Sequence, residues 1–98
     1  MTEIRQTETY TNWFARLKDV RAKARIDIRI RRLSLGNPSD VKPVGDGISE
    51  MRIDYGPGYR VYYKRTGSTI IMLLCGGDKD SQQADIAQAK KLAAELED

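Results

Sequence analysis

The stretch ARIDIRIRRL, residues 24–33, sets three isoleucines among arginines and an aspartate, and its alternation is what a half-buried strand would show. Its flanks argue for a helix instead. Upstream, DVRAKAR contains good helix formers and neither Gly nor Pro; downstream the chain meets Gly36, Asn37 and Pro38, the usual punctuation after a helix. The unbroken run over residues 19–35 is also too long for an ordinary strand. At about 100° per residue, Ala22, Ile26, Ile30 and Leu33 share one stripe, with Ile28 to one side near Val20 and Ala24. Tyr10, Trp13, Phe14 and Leu17 keep the same period behind a Thr-rich start, so the first third reads as a helical hairpin turning near Asp19.

After Pro43 the period changes to two. In ISEMRIDY (48–55) Met51, Ile53 and Tyr55 share one face, and Glu50, Arg52 and Asp54 the other. In YRVYYKR (59–65) Tyr59, Val61 and Tyr63 point one way and Arg60, Tyr62 and Lys64 the other, and these two strands meet across GPG. TIIMLLC (69–75) is apolar on both faces and reads as a central strand, reached by a turn at Thr66, Gly67 and Ser68. A last helix starts near Ser81 with Ile86, Ala89, Ala93 and Leu96 as its apolar stripe. EIRQT (3–7) is a short strand expected at an edge or beside the apolar strand. The predicted fold class is α+β, with a small, mainly antiparallel sheet in the order β-α-α-β-β-β-α.

Composition limits what such a domain can do. A chain of 98 residues, 40% apolar and 32% charged, is expected to form a single domain over 1–98 that buries roughly 64% of its unfolded surface. No apolar run reaches the roughly 18 residues of a membrane span, and MTEIRQTETY lacks the pattern of a secretory signal, so a cytoplasmic location is expected. With one cysteine, Cys75, and no histidine, neither an internal disulfide nor a zinc site is expected. The missing histidine also excludes Ser/His/Asp, Cys/His and two-histidine catalysis, leaving Lys, Tyr, Asp, Glu or water as acid or base. The net charge is +3, and residues 16–32 hold eight Arg or Lys against two Asp. A polyanion or acidic partner is one reading of that imbalance; a solvated helix face is the other.

SEMRIDYGPGYRVYYKR, followed by IIMLLCGGDKDSQQADIAQAKKLAAEL after a VKPVGDG lead-in, resembles the HigB-like branch of the RelE/ParE superfamily, the toxins of bacterial type II toxin–antitoxin systems. YGPGYRVY together with LLCGGDK at this spacing carries the resemblance, which covers nearly the whole chain. It implies a compact sheet with two helices packed on one side. It also implies a toxin neutralised by a cognate antitoxin, here a small helix-turn-helix protein, and acting on mRNA on the ribosome. RelE-like members cleave mRNA; ParE-like members instead inhibit DNA gyrase, which is the alternative. No cofactor is expected.

Cleaving RNA through its own 2′-OH requires help in removing a proton, stabilisation of charge on the phosphate, and splayed bases held in line. Arg60 matches the family's strand arginine and is the expected phosphate clamp, with Arg52 a second on the neighbouring strand. Lys79, in GGDK, falls where relatives carry a basic or histidine catalytic residue. Tyr62 could stack a base, and Lys64 and Gly77 are further expected RNA contacts. Arg25 and Arg29 are expected to meet the antitoxin. Each has a plainer alternative: Arg60 in a cross-strand ion pair with Glu50 or Asp54, Lys79 solvated, Tyr62 a surface aromatic, Gly76 and Gly77 a simple turn, Asp78 a helix cap. Because Arg60 points away from the core, its truncation is expected to leave stability nearly intact. The chain departs from the RelE pattern in having no histidine and no tyrosine after the last strand, so slow or ribosome-dependent catalysis is expected.

Overall fold

The computed structural model describes residues 2–96, and residues 24–33 are helical. The elements are β1 (Glu3–Gln6), α1 (Glu8–Arg16), α2 (Val20–Ser34), β2 (Val41–Gly45), β3 (Ile48–Ile53), β4 (Tyr59–Thr66), β5 (Ile70–Gly77) and α3 (Gln82–Leu96). Side-chain caps fix the hairpin. The Thr7 hydroxyl accepts from the Tyr10 amide at the start of α1, and the Asp19 carboxylate accepts from the Arg21 and Ala22 amides at the start of α2. On α2, Ala22, Ile26 and Leu33 are buried while Ile28 and Val20 are exposed, as the helical stripe requires.

The result is an α+β fold with a five-stranded mixed sheet in the order β1-β5-β4-β3-β2. β1 runs parallel to β5 at the edge, and the other pairs are antiparallel. β2 is an addition to the sequence reading. VKPVG contains a proline and a glycine that weaken any strand pattern, and an edge strand with a shifted register at Pro43/Gly45 tolerates them. The overlooked signal was Asp46-Gly47, whose φ angles of 56° and 77° make the tight turn into β3.

Both faces of the sheet are covered. The α1–α2 side packs Tyr10, Ile26 and Leu33 on Met51, Ile53, Val61, Tyr63, Ile71 and Leu73, and each such side chain contributes about 1.5–3 kcal/mol by burial. α3 covers the other face, packing Ala89 and Ala93 on Ile48, Tyr62, Leu74 and Cys75. A bulge at Leu74, where the β4 register passes from Tyr62/Cys75 to Tyr63/Leu73, turns Leu74 and Cys75 toward the same core. Burial pushes the Cys75 thiol up to about 12, with Asp85 adding to the effect, so it is an inert core residue.

The bulge also decides the role of the two glycines that follow. A Cβ on Gly76 would enter the Trp13 ring, and one on Gly77 would overlap the Asp85 carboxylate and crowd the Ser81 hydroxyl. The dipeptide is the place where α1 and α3 both press onto β5, rather than a bare turn. Gly76→Ala should therefore lower stability by about 1–3 kcal/mol through overpacking, read as an earlier midpoint in urea; an unchanged midpoint would show that Trp13 is not pinned there.

Candidate active site

Arg52, Arg60 and Tyr62 meet around Glu50, a residue the alternation of β3 places on the same face. Glu50, on β3, is fully buried. Its Oε1 accepts from Arg52 Nε at 3.0 Å and lies 3.6 Å from Arg60 Nε; its Oε2 accepts from the Tyr62 hydroxyl at 3.1 Å and from Gln82 Nε2 at 2.9 Å. Hairpin pairing explains the cluster: closing the turn at Ile53 and Tyr59 puts Arg52 opposite Arg60 and Glu50 opposite Tyr62. Two guanidiniums side by side would repel, and the carboxylate between them offsets that. Burial alone would raise the Glu50 carboxyl, but the hydrogen bonds from Gln82, Arg52 and Tyr62 and the charge of Arg60 outweigh it and hold it below its ordinary 4.5.

Arg60 is thus less free than expected. Its side chain is only 12% exposed, Nη1 donates to the Gly58 carbonyl at 3.0 Å, and Nε faces Glu50 without a hydrogen bond among the described residues. The cross-strand ion pair is real, and the expectation that truncating Arg60 leaves stability intact is corrected. Arg52 is more open, and the two arginines line a cleft of about 220 Å³ with Asp40, Asp54, Gly58 and Tyr59. Lys79 is exposed and stands at the same glycine: a methyl group on Gly58 would lie 3.5 Å from Lys79 Cβ and 3.6 Å from Arg60 Nη1. Asp78 caps the turn into α3, its Oδ1 accepting from the amides of Asp80 and Ser81.

Other expected contacts are elsewhere or occupied. Tyr62 cannot stack a base: it lies under α3 with no exposed surface, and its hydroxyl is held by Glu50. Burial and Glu50 push that phenol above its ordinary range. Gly77 is covered by Asp85, so its backbone offers no open approach on that side. Lys64, half-buried, lies on β4 well along from Arg60, beside the Gly47 turn. Arg29 is an internal clamp, donating to the carbonyls of Arg52, Pro38 and Asp40, and these bonds tie α2 to the sheet. Arg25 remains on the surface, its guanidinium 4.6 Å from the centre of the Tyr55 ring. It lines a groove of about 300 Å³ with Ile28, Arg29, Arg32, Ile53 and Asp54.

The sequence names Glu50 only as a possible ion-pair partner of Arg60, not as a buried centre, and it does not point to Gln82 at all. Glu50 was legible in the hairpin register; Gln82 was not, because it depends on α3 lying across the sheet. No group of three or more His, Cys, Asp or Glu among the described residues is placed to hold a metal, and none of the described helices is long and apolar enough to cross a membrane.

Among known proteins, an uncharacterized protein of Haemophilus influenzae is 54% identical over 94 residues, which is 96% of this chain and 95% of that protein. The chain belongs to the same family as that protein. No family model matches the chain.

The ionised Glu50 sets an acid limit on the fold. Because its folded value is lowered, its contribution is fully present above about 4.5 and is lost as pH falls through the lower folded value. Glu50→Gln should cost about 2–4 kcal/mol at neutral pH by leaving two arginines uncompensated, and the gap to wild type should close in acid. A gap that stays constant down to the acid transition would mean the carboxylate is not the source. Arg60→Ala should cost about 1–3 kcal/mol.

Proposed function

We propose that the protein is a RelE-like toxin of a type II toxin–antitoxin system, cleaving mRNA on the ribosome through the RNA 2′-OH. The observation that carries this reading is that Arg52 and Arg60 line one cleft at the β3–β4 turn, with Glu50 engaging both guanidiniums from behind and Lys79 beside the cleft at Gly58. The fold supports it, since a compact sheet with two helices packed on one side is what the resemblance implies. In this reading Arg52 and Arg60 stabilise charge on the phosphate as the 2′ oxygen attacks phosphorus. The P–O5′ bond breaks, and the Lys79 ammonium gives a proton to the departing oxygen while the 2′ proton passes to water. A ParE-like gyrase inhibitor is the second reading, favoured by the extent to which Arg60 is tied into the protein's own ion pair.

Lys79→Ala is the cleanest test, because the residue is exposed and lies outside the Glu50 cluster. It should melt like wild type and cut ribosome-bound message about 10²-fold more slowly. In cells, expression without a partner should stop methionine incorporation first, with cut mRNA; an early stop in DNA synthesis with gyrase-linked breaks would instead establish the second reading.

For the antitoxin, the Arg25 groove is the proposed docking face, suited to an acidic segment. Arg25→Glu should weaken the complex more at about 0.1 M than at about 1 M salt, and equal affinities at both would place the interface elsewhere. Arg29→Glu should instead destabilise the toxin itself, because its guanidinium holds backbone carbonyls.

A further inference from the structure

A second cleft, on the far side of β5, differs from the first in having most of its polar side chains unspent. β1 pairs with β5 only as far as Leu73, so the end of β5 continues past it between α1 and α3. There Asn12, Trp13, Arg16, Gly76, Asp85 and Gln88 line a space of about 360 Å³, within the usual range of small-ligand sites. Gly76 lets the Trp13 ring lie on the strand, and Tyr10 and Tyr59 flank the ring at 5.7 and 6.4 Å between centroids. The indole is therefore held in one position. Asp85 Oδ2 accepts from the Ser81 hydroxyl. Among the described residues no donor reaches Oδ1, and the side chains of Asn12, Arg16 and Gln88 make no hydrogen bond or ion pair.

We propose that this cleft is a nucleobase site selective for guanine, holding one nucleotide of the message across β5 from the arginine cleft. It rests on the RNA-cleavage reading above and extends it to base choice. The chemistry follows from the lining. A flat aromatic wall takes any base, whereas a carboxylate with a free oxygen selects a Watson–Crick edge with adjacent donors, and guanine presents two at N1 and N2. Adenine and cytosine present one amino group each beside an acceptor, which a carboxylate would repel. Asn12 and Gln88 can meet the guanine O6, and Arg16, at the end of α1, is the cation for a flanking phosphate. Partial burial raises the Asp85 carboxyl, with Asp78 adding to the effect against the Ser81 hydrogen bond. A partly desolvated carboxylate with one oxygen still open is one that incoming donors would satisfy.

Trp13 is the single tryptophan, so its fluorescence reports this cleft directly and without any cleavage. Titration with guanosine 5′-monophosphate should quench it saturably, at least about tenfold more tightly than the adenosine, cytidine or uridine monophosphates. Asp85→Asn should remove the guanine preference, and Arg16→Glu should weaken binding of the nucleotide about tenfold while leaving guanosine little changed. In the cleavage assay, Asp85→Asn should change which bases flank the cut. No saturable quenching, or equal quenching by all four nucleotides that Asp85→Asn leaves unaltered, would overturn the site. Quenching by an extended peptide but by no nucleotide would overturn it in favour of a protein partner. Cleavage by a wild type that fails to bind guanosine monophosphate removes this site alone. Guanine binding by a protein that cuts no message removes the nuclease reading.

Discussion

A single buried carboxylate organises the β3–β4–α3 side of this protein. Glu50 reaches Arg52 on its own strand, Arg60 and Tyr62 on the next, and Gln82 at the start of α3. A charge with no exposed surface is costly unless its partners replace the water it has lost. Here they do, and each partner is thereby fixed. The two guanidiniums line the cleft, the Tyr62 ring is buried beneath the helix, and the first turn of α3 is tied to the middle of the sheet. The fold thereby sets the orientation of both guanidiniums before anything binds.

The glycine pair plays the matching role on β5. With no Cβ at Gly76 or Gly77, Trp13 can lie on one face of the strand end and Asp85 on the other. The bulge at Leu74 sets which glycine meets which neighbour. The same few residues thus separate two clefts of different character. In one, the arginines are engaged by Glu50 and the Gly58 carbonyl; in the other, donors and a carboxylate oxygen stand open. Arg29 completes the frame by holding the loop before β2 and the end of β3 to α2.

Much of this was legible in the sequence for a physical reason. Hydrophobic period records which face of an element is buried, so the α2 stripe, the alternation of β3 and β4 and the apolar β5 could be read directly. Element ends were legible too, since Thr7, Asp19 and Gly36 are where caps and turns demand those residue types. β2 was not, because Pro43 and Gly45 hide a strand that only pairing to β3 creates. Polar residues were the main source of error. Tyr62, Arg29 and Glu50 alternate or repeat as surface residues would, and a polar side chain carries no local mark that says whether water or protein will satisfy it.

The sequence by itself therefore determined the α+β class, the helical hairpin and the strand faces, because these follow from interactions within a few residues. It also placed Arg52 and Arg60 side by side, once the hairpin closed at GPG. Only the tertiary structure decided that α3 lies across the outer face of the sheet, and that packing buries Glu50 and Tyr62, engages Gln82 and fills the space above Gly77. The physical reason is distance along the chain: Gln82 and Glu50 are 32 residues apart, and a hydrogen bond between them exists only after the sheet and helix have closed on one another.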